Sequence, residues 1–127
     1  MKKIFENNSD YFYFVFRVVV GLLFFVHGSQ KLFGWFGSKG TVELVSLFGL
    51  AGVIEVVVGI LLVIGLWTRY VALLGALDMI GAWVVSHIPK GGILPWANGG
   101  ELALLFFVVF LAIMSHGAGI WAIDKEE

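Results

Sequence analysis

The 127-residue sequence predicts an all-α membrane protein, a bundle of four antiparallel transmembrane helices, and three observations carry that expectation. Hydrophobic residues make up 60% of the chain and charged residues 13%, where soluble domains hold about 45–50% and about 25%. The apolar residues gather into four stretches of about 20, the length a helix needs to cross about 30 Å of hydrocarbon and roughly twice that of a barrel strand. Each stretch also holds an ionisable residue that lipid should reject, Arg17, Glu55, Asp78 or Glu101. Placing such a charge near the bilayer centre costs about 2.5–3.5 kcal/mol even on the gentlest insertion scale. Residues of this kind pair with one another, face a bundle interior, or line a path for a proton or polar ligand.

The elements follow in order as one integral membrane domain over residues 1–127. The polar start MKKIFENNSD has no small-residue cleavage site, so the apolar run after it reads as a signal anchor and not as a cleaved leader. The first span is expected over about 11–30, the second over about 42–67, the third over about 70–88 and the fourth over about 100–120. The turn LWTRYV joins spans two and three into a tight hairpin. KLFGWFGSKGT and HIPKGGILPWANGG, both rich in glycine and aromatics, read as loops that dip into the interface. Four crossings put both termini on one side. Lys2, Lys3, Arg69 and Lys125 then lie on that side against Lys31, Lys39 and Lys90 opposite, a lean toward cytoplasmic termini and a cell (inner or plasma) membrane.

Composition excludes several function classes. A net charge of −1 offers no basic footprint for nucleic acid. With no cysteine, the chain itself holds no disulfide, no CxxC redox pair and no thiolate-ligated metal or iron–sulfur centre. Any redox chemistry here places its electrons on a cofactor or partner. His27, His87 and Glu101 are chemically able to bind metal but lack ligand spacing, so no metal site is assigned.

Alternating helix direction sorts the polar residues. His27, Gln30, Lys31, His87, Asn98 and Glu101 fall at one mouth of the bundle, beneath the aromatic loops that carry Trp35 and Trp96. Rise per residue puts Arg17 roughly 9 Å, Asp78 roughly 12 Å and Glu55 roughly 18 Å from the terminal side, an expected intramembrane ion-pair cluster. Small residues accompany each charge at helical spacing, as in Arg17–Gly21–Gly28, Gly52–Glu55–Gly59 and Gly75–Asp78–Ala82, which suits close helix approach. His87 is about 180° around an α-helix from Asp78 and is assigned to a different site. The bland alternative is that the buried charges only clamp the helices and the histidines only cap helix ends.

The run VHGSQKLFGWFG after the first span resembles the signature of the DoxX family. Glu55 followed by GILLVIGLWTR, Met79 and His87 late in span three, NGGELALLF and the closing GAGIWAID extend the resemblance from about Phe16 to Asp124. It implies a DoxX-like four-helix membrane bundle, with His27, Gly28, Gln30, Lys31, Glu55, Arg69, His87, Asn98, Glu101 and Asp124 as the matching residues. It also implies association with quinone-linked oxidoreductase complexes or thiol-based stress assemblies; without cysteine, a thiol role cannot run through this chain.

The leading expectation is therefore a quinone-interacting subunit of a membrane oxidoreductase system. His27, Gln30, Lys31, His87, Asn98 and Trp35 would bind the ligand, and Glu55 and Glu101 would carry protons. Its partners would be the lipid bilayer, an oxidoreductase and further copies of itself. A non-catalytic membrane chaperone, assembly factor or scaffold is the alternative class, and a small proton-coupled transporter a third. Nothing in the residue pattern names a reaction, and kinship at the level of fold does not supply one.

Overall fold

The structure, a computed structural model, describes residues 1–125. Among them all the regular secondary structure is helical, with no strand. A short α1 (Lys2–Asn7) precedes α2 (Ser9–Phe33), which runs unbroken for 25 residues until Gly34 takes φ 68° and ends it. α3 (Leu47–Ile64) starts under a serine cap: Ser46 Oγ accepts from Gly49 N–H at 3.0 Å. Gly65, at φ 68°, and Trp67, at φ 53°, reverse the chain into α4 (Thr68–Ala82). A π-helical turn (Trp83–His87) and α5 (Ile88–Gly91) prolong that helix. The short α6 (Pro95–Asn98) leads into α7 (Glu101–His116).

Three of these, Ser9–Phe33, Leu47–Ile64 and Thr68–Gly91, are long and apolar enough to cross a membrane. α7 is apolar but has 16 residues, roughly 24 Å of helix. Two expected boundaries shift for identifiable reasons. The second helix begins at Leu47 and not near 42, because Val42 N–H bonds back to Lys31 O at 2.9 Å and Ser46 caps the helix after it. The fourth stops at His116 and not near 120, because Gly117 adopts φ 88° and the chain leaves the axis there.

Glycine sets the closest packing. A Cβ added to Gly28 would stand 2.6 Å from Val56 N and 2.7 Å from Gly52 O, and one added to Gly59 would stand 2.6 Å from Phe25 N. α2 and α3 thus run antiparallel with their backbones nearly touching, the mode by which membrane helices gain dispersion contact without a hydrophobic driving force. On α4, Gly75 lies under the Phe110 ring of α7, and an added Cβ would come within 2.7 Å of Phe110 Cζ. Phe24 (1% exposed) meets Phe106 and Phe110 with ring centroids 5.4 and 4.9 Å apart, which draws α2 against α7. Val58, Leu62, Ala72, Ala76, Met79 and Ile113 complete the core. Leu22, Val57, Leu77, Leu105 and many other large apolar side chains remain uncovered by protein, as a lipid-facing surface requires.

Replacing Gly28 by alanine should therefore force α2 off α3 and cost about 1–3 kcal/mol by overpacking. Gly81, with nothing within 4 Å of an added Cβ, is the control. Thermal melts in detergent should show a large loss for Gly28→Ala and little change for Gly81→Ala.

Candidate functional site

The buried charges separate toward opposite ends of the helices. At the end that gathers residues 62–69 and 114–124, they complete helix termini. Arg17 is wholly buried, yet it meets backbone oxygens and no carboxylate. Its Nε donates to Leu62 O at 2.9 Å, Nη2 donates to Val63 O and Trp121 O, and Nη1 donates to Ala118 O and Ile120 O. Leu62 and Val63 belong to the last turn of α3, where carbonyls have no partner within the helix. Arg69 does the same for α7, donating to Met114 O at 2.6 Å and Ser115 O at 2.7 Å. Asp124 supplies the complementary cap, accepting from Trp67 N–H at 2.7 Å and Thr68 N–H at 2.8 Å at the start of α4. Cations at helix C-termini and an anion at an N-terminus match the helix dipoles. Tyr13 adds a 2.6 Å bond to Gly117 O and stacks on His116 with centroids 3.7 Å apart.

The other end holds a different arrangement. Glu55, 1% exposed on α3, receives the Lys31 ammonium from α2 at 2.6 Å to each carboxylate oxygen. Asp78, from α4, is a neighbour of Glu55, and its Oδ2 is enclosed without a partner. The expected cluster of Arg17, Asp78 and Glu55 is thus not formed: the carbonyls at the far end satisfy Arg17, and Lys31 takes its place beside the carboxyls. One ammonium balances one carboxylate. The second carboxyl group has no cation of its own, so the pair carries one more acidic group than Lys31 balances. Lys31 keeps 30% of its side chain exposed, so the cluster is reachable from the mouth.

The remaining expected residues disperse around this mouth. His27 packs edge-on to Phe106 at 5.8 Å, one turn from Lys31. Gln30 donates to Phe36 O at 3.2 Å and, with Ser38, which donates to Gln30 O at 2.9 Å, holds the loop after α2. Trp35 is exposed and leans on Phe33 at 4.7 Å. Asn98 is a loop clasp, donating to Gly92 O at 2.8 Å and accepting from Gly100 N–H at 2.7 Å. Glu101 is exposed at the start of α7. His87 sits in the π turn with Nδ1 unpartnered. Among the described residues, no three of His, Asp and Glu are grouped to hold a metal ion. A cleft of about 530 Å³ opens at the opposite, capped end, lined by Trp67, Arg69, His116 and Asp124 among others.

The family model described as DoxX matches residues 12–88. The chain belongs to the DoxX family. It is 39% identical to an uncharacterized protein of Haemophilus influenzae, over 95% of this chain and 94% of that one. It is 30% identical to a putative oxidoreductase, CatD, of Bacillus subtilis, over 98% and 90%. An uncharacterized membrane protein of Mycobacterium tuberculosis is 32% identical over 87% and 77%. No solved structure matches. The DoxX match encloses Arg17, His27, Lys31, Glu55, Asp78 and His87, while Asn98, Glu101 and the Asp124 cap lie beyond it.

Two outcomes follow from the capped end. Arg17→Gln should cost at least about 3 kcal/mol, since it strips buried carbonyls of a charged donor. Arg17→Lys should also destabilise, because a point charge cannot replace the fork of donors. Guanidinium-free thermal melts in detergent measure both. Burial pushes the Asp124 carboxyl up, but the Thr68 and Trp67 amides and the Arg17 charge outweigh that and hold it below the usual range. Its stabilisation is then fully present above the unfolded value of about 3.9. It disappears as pH falls through the lower folded value, so a melt series in acid should show a loss that Asp124→Asn lacks.

Proposed function

We propose that this DoxX protein is a quinone-interacting membrane subunit of an oxidoreductase system, with the Lys31–Glu55–Asp78 cluster as its proton-exchanging site. α7 serves as the fourth span of an antiparallel bundle in the cell membrane, its termini cytoplasmic. The observation that carries the reading is an ammonium, a carboxylate and a second carboxyl packed together inside an apolar bundle, with the ammonium open to the mouth. The Bacillus subtilis relative named as a putative oxidoreductase supports it.

Reduction of a quinone to a quinol consumes two electrons and two protons. Lacking cysteine, this chain leaves the electrons to a partner oxidoreductase. Its own residues supply the rest. Lys31 donates a hydrogen bond to a ring oxygen and stabilises negative charge as it develops there. A proton held on the Glu55–Asp78 pair would be transferred next, and the pair recharged from solvent. The quinone ring would lie against the aromatic side chains at the mouth, Phe33, Trp35 and Phe106 among them.

Lys31→Ala alone leaves Glu55 buried and unpaired, so the informative variant is Lys31→Met with Glu55→Gln, which keeps volume and removes both charges. In nanodiscs titrated with a short-tailed ubiquinone, the double variant should melt near the wild type and bind quinone at least tenfold more weakly. Unchanged quinone affinity defeats the reading. Recovery of a stoichiometric membrane partner alongside that result would assign the chain to the scaffold class.

A further inference from the structure

From the carboxyl pair toward the mouth, one helix leaves three enclosed polar atoms without partners: Asp78 Oδ2, Trp83 Nε1 and His87 Nδ1. All lie on the continuous apolar run Thr68–Gly91. Each enclosed and unpaired polar atom costs about 1–3 kcal/mol, a heavy load for a single stretch of a hydrophobic bundle. The same stretch is where the helix departs from α geometry, at the π turn Trp83–His87. Such a turn takes up about one extra residue and rotates the residues beyond it by about 100°. In an unbroken α-helix His87 would stand about 180° round from Asp78; the π turn reduces the angle to roughly 80°. The indole and imidazole also converge. A Cβ added to Gly100 would stand 3.0 Å from Trp83 Cδ1 and 3.2 Å from His87 Cγ.

The three atoms have complementary capacities. The indole N–H only donates, the free carboxyl oxygen accepts, and the imidazole nitrogen does either according to its tautomer. Water can accept from the first, donate to the second and exchange a proton with the third, and the nine residues from Asp78 to His87, roughly 13 Å of helix rise, call for a short file of waters rather than one. The charged and titratable neighbours are Glu55 on α3, Lys31 and His27 on α2, and Glu101 beside Gly100 on α7.

We propose that Asp78, Trp83 and His87 form a proton path, linked by a short file of waters, from the Glu55–Asp78 pair to the mouth, with Trp83 Nε1 positioning one of the waters and His87 exchanging the proton. The path rests on the proton-holding pair of the proposed function. A proton leaves the carboxyl for water, water passes one to His87 Nδ1, and Nε2 on the part-exposed side of the ring releases one outward. No electron moves, and a flip of the imidazole ring about Cβ–Cγ, which presents the bare nitrogen inward again, resets the path.

Infrared spectroscopy of the full chain in lipid vesicles, transferred from H2O to D2O, tests this without any ligand. The wild type should show a protonated-carboxyl stretch that Asp78→Asn or Glu55→Gln removes. Its deuteration should slow at least tenfold in His87→Phe and also slow in Trp83→Phe, which keeps the ring and loses the N–H. If His87→Phe does not fold, His87→Ala with added imidazole gives the readout: recovery of fast exchange supports the path, and no recovery overturns it. Wild-type exchange rates in both ring variants overturn the path and leave the carboxyl pair standing. Absence of the carboxyl band from the wild type overturns the pair itself.

Discussion

Arg17 fixes more of this molecule than any other side chain, because a guanidinium inside a bilayer must find all its acceptors within the protein. It finds them in the last turn of α3 and in the non-helical segment 118–121. That segment is therefore drawn across the end of the helices. Once it is there, Ile123 N–H reaches Ile64 O at 3.0 Å and Asp124 N–H reaches Gly65 O at 2.8 Å. The Asp124 carboxylate arrives at the first turn of α4 by the same route. A single buried cation thus joins α2, α3, α4 and the chain's C-terminal stretch, and it does so through carbonyls that helix geometry leaves free.

This choice of partner determines what remains for the other end. Had Arg17 paired with Asp78 and Glu55, the interior charges would have closed into a fully satisfied clamp. With Arg17 committed to carbonyls, the Lys31 ammonium serves Glu55, and Asp78 lies beside them with no cation of its own. The capped end answers its buried charges with fixed backbone partners. The mouth end keeps a carboxyl oxygen, an indole N–H and an imidazole nitrogen unanswered.

Much of this is legible in the residues. The apolar lengths, the tight LWTRYV turn and the glycines beside Glu55 and Arg17 follow directly from hydropathy and helical spacing. Helix direction alone gathers the mouth residues at one end, but it does not pair the charges. Depth counting measures where a Cα lies, while lysine and arginine side chains reach several ångströms along the helix axis. Lys31 reaches inward to Glu55, and Arg17 reaches carbonyls that no sequence pattern marks as acceptors. Continuing the stripe Arg17–Gly21–Gly28 by three residues does arrive at Lys31, so that signal is present in the chain. The separation of His87 from Asp78 assumes unbroken α geometry, and nothing in WVVSH announces a π turn.

The π turn also bears on why a helix at this position tolerates irregularity. Opening a helix in lipid exposes backbone groups that have no water to meet, so departures from α geometry are confined to faces covered by protein or lining a polar route. Trp83 and His87 are partly covered, and their rings rest on Gly100, where α7 begins. Gly100 has no side chain to hold them apart, and Asn98 fixes its amide at 2.7 Å. The loop between α4 and α7 therefore serves as the wall of the region where the helix unwinds. Asn98 and the glycines around it thus hold the backbone against which the Trp83 and His87 rings rest.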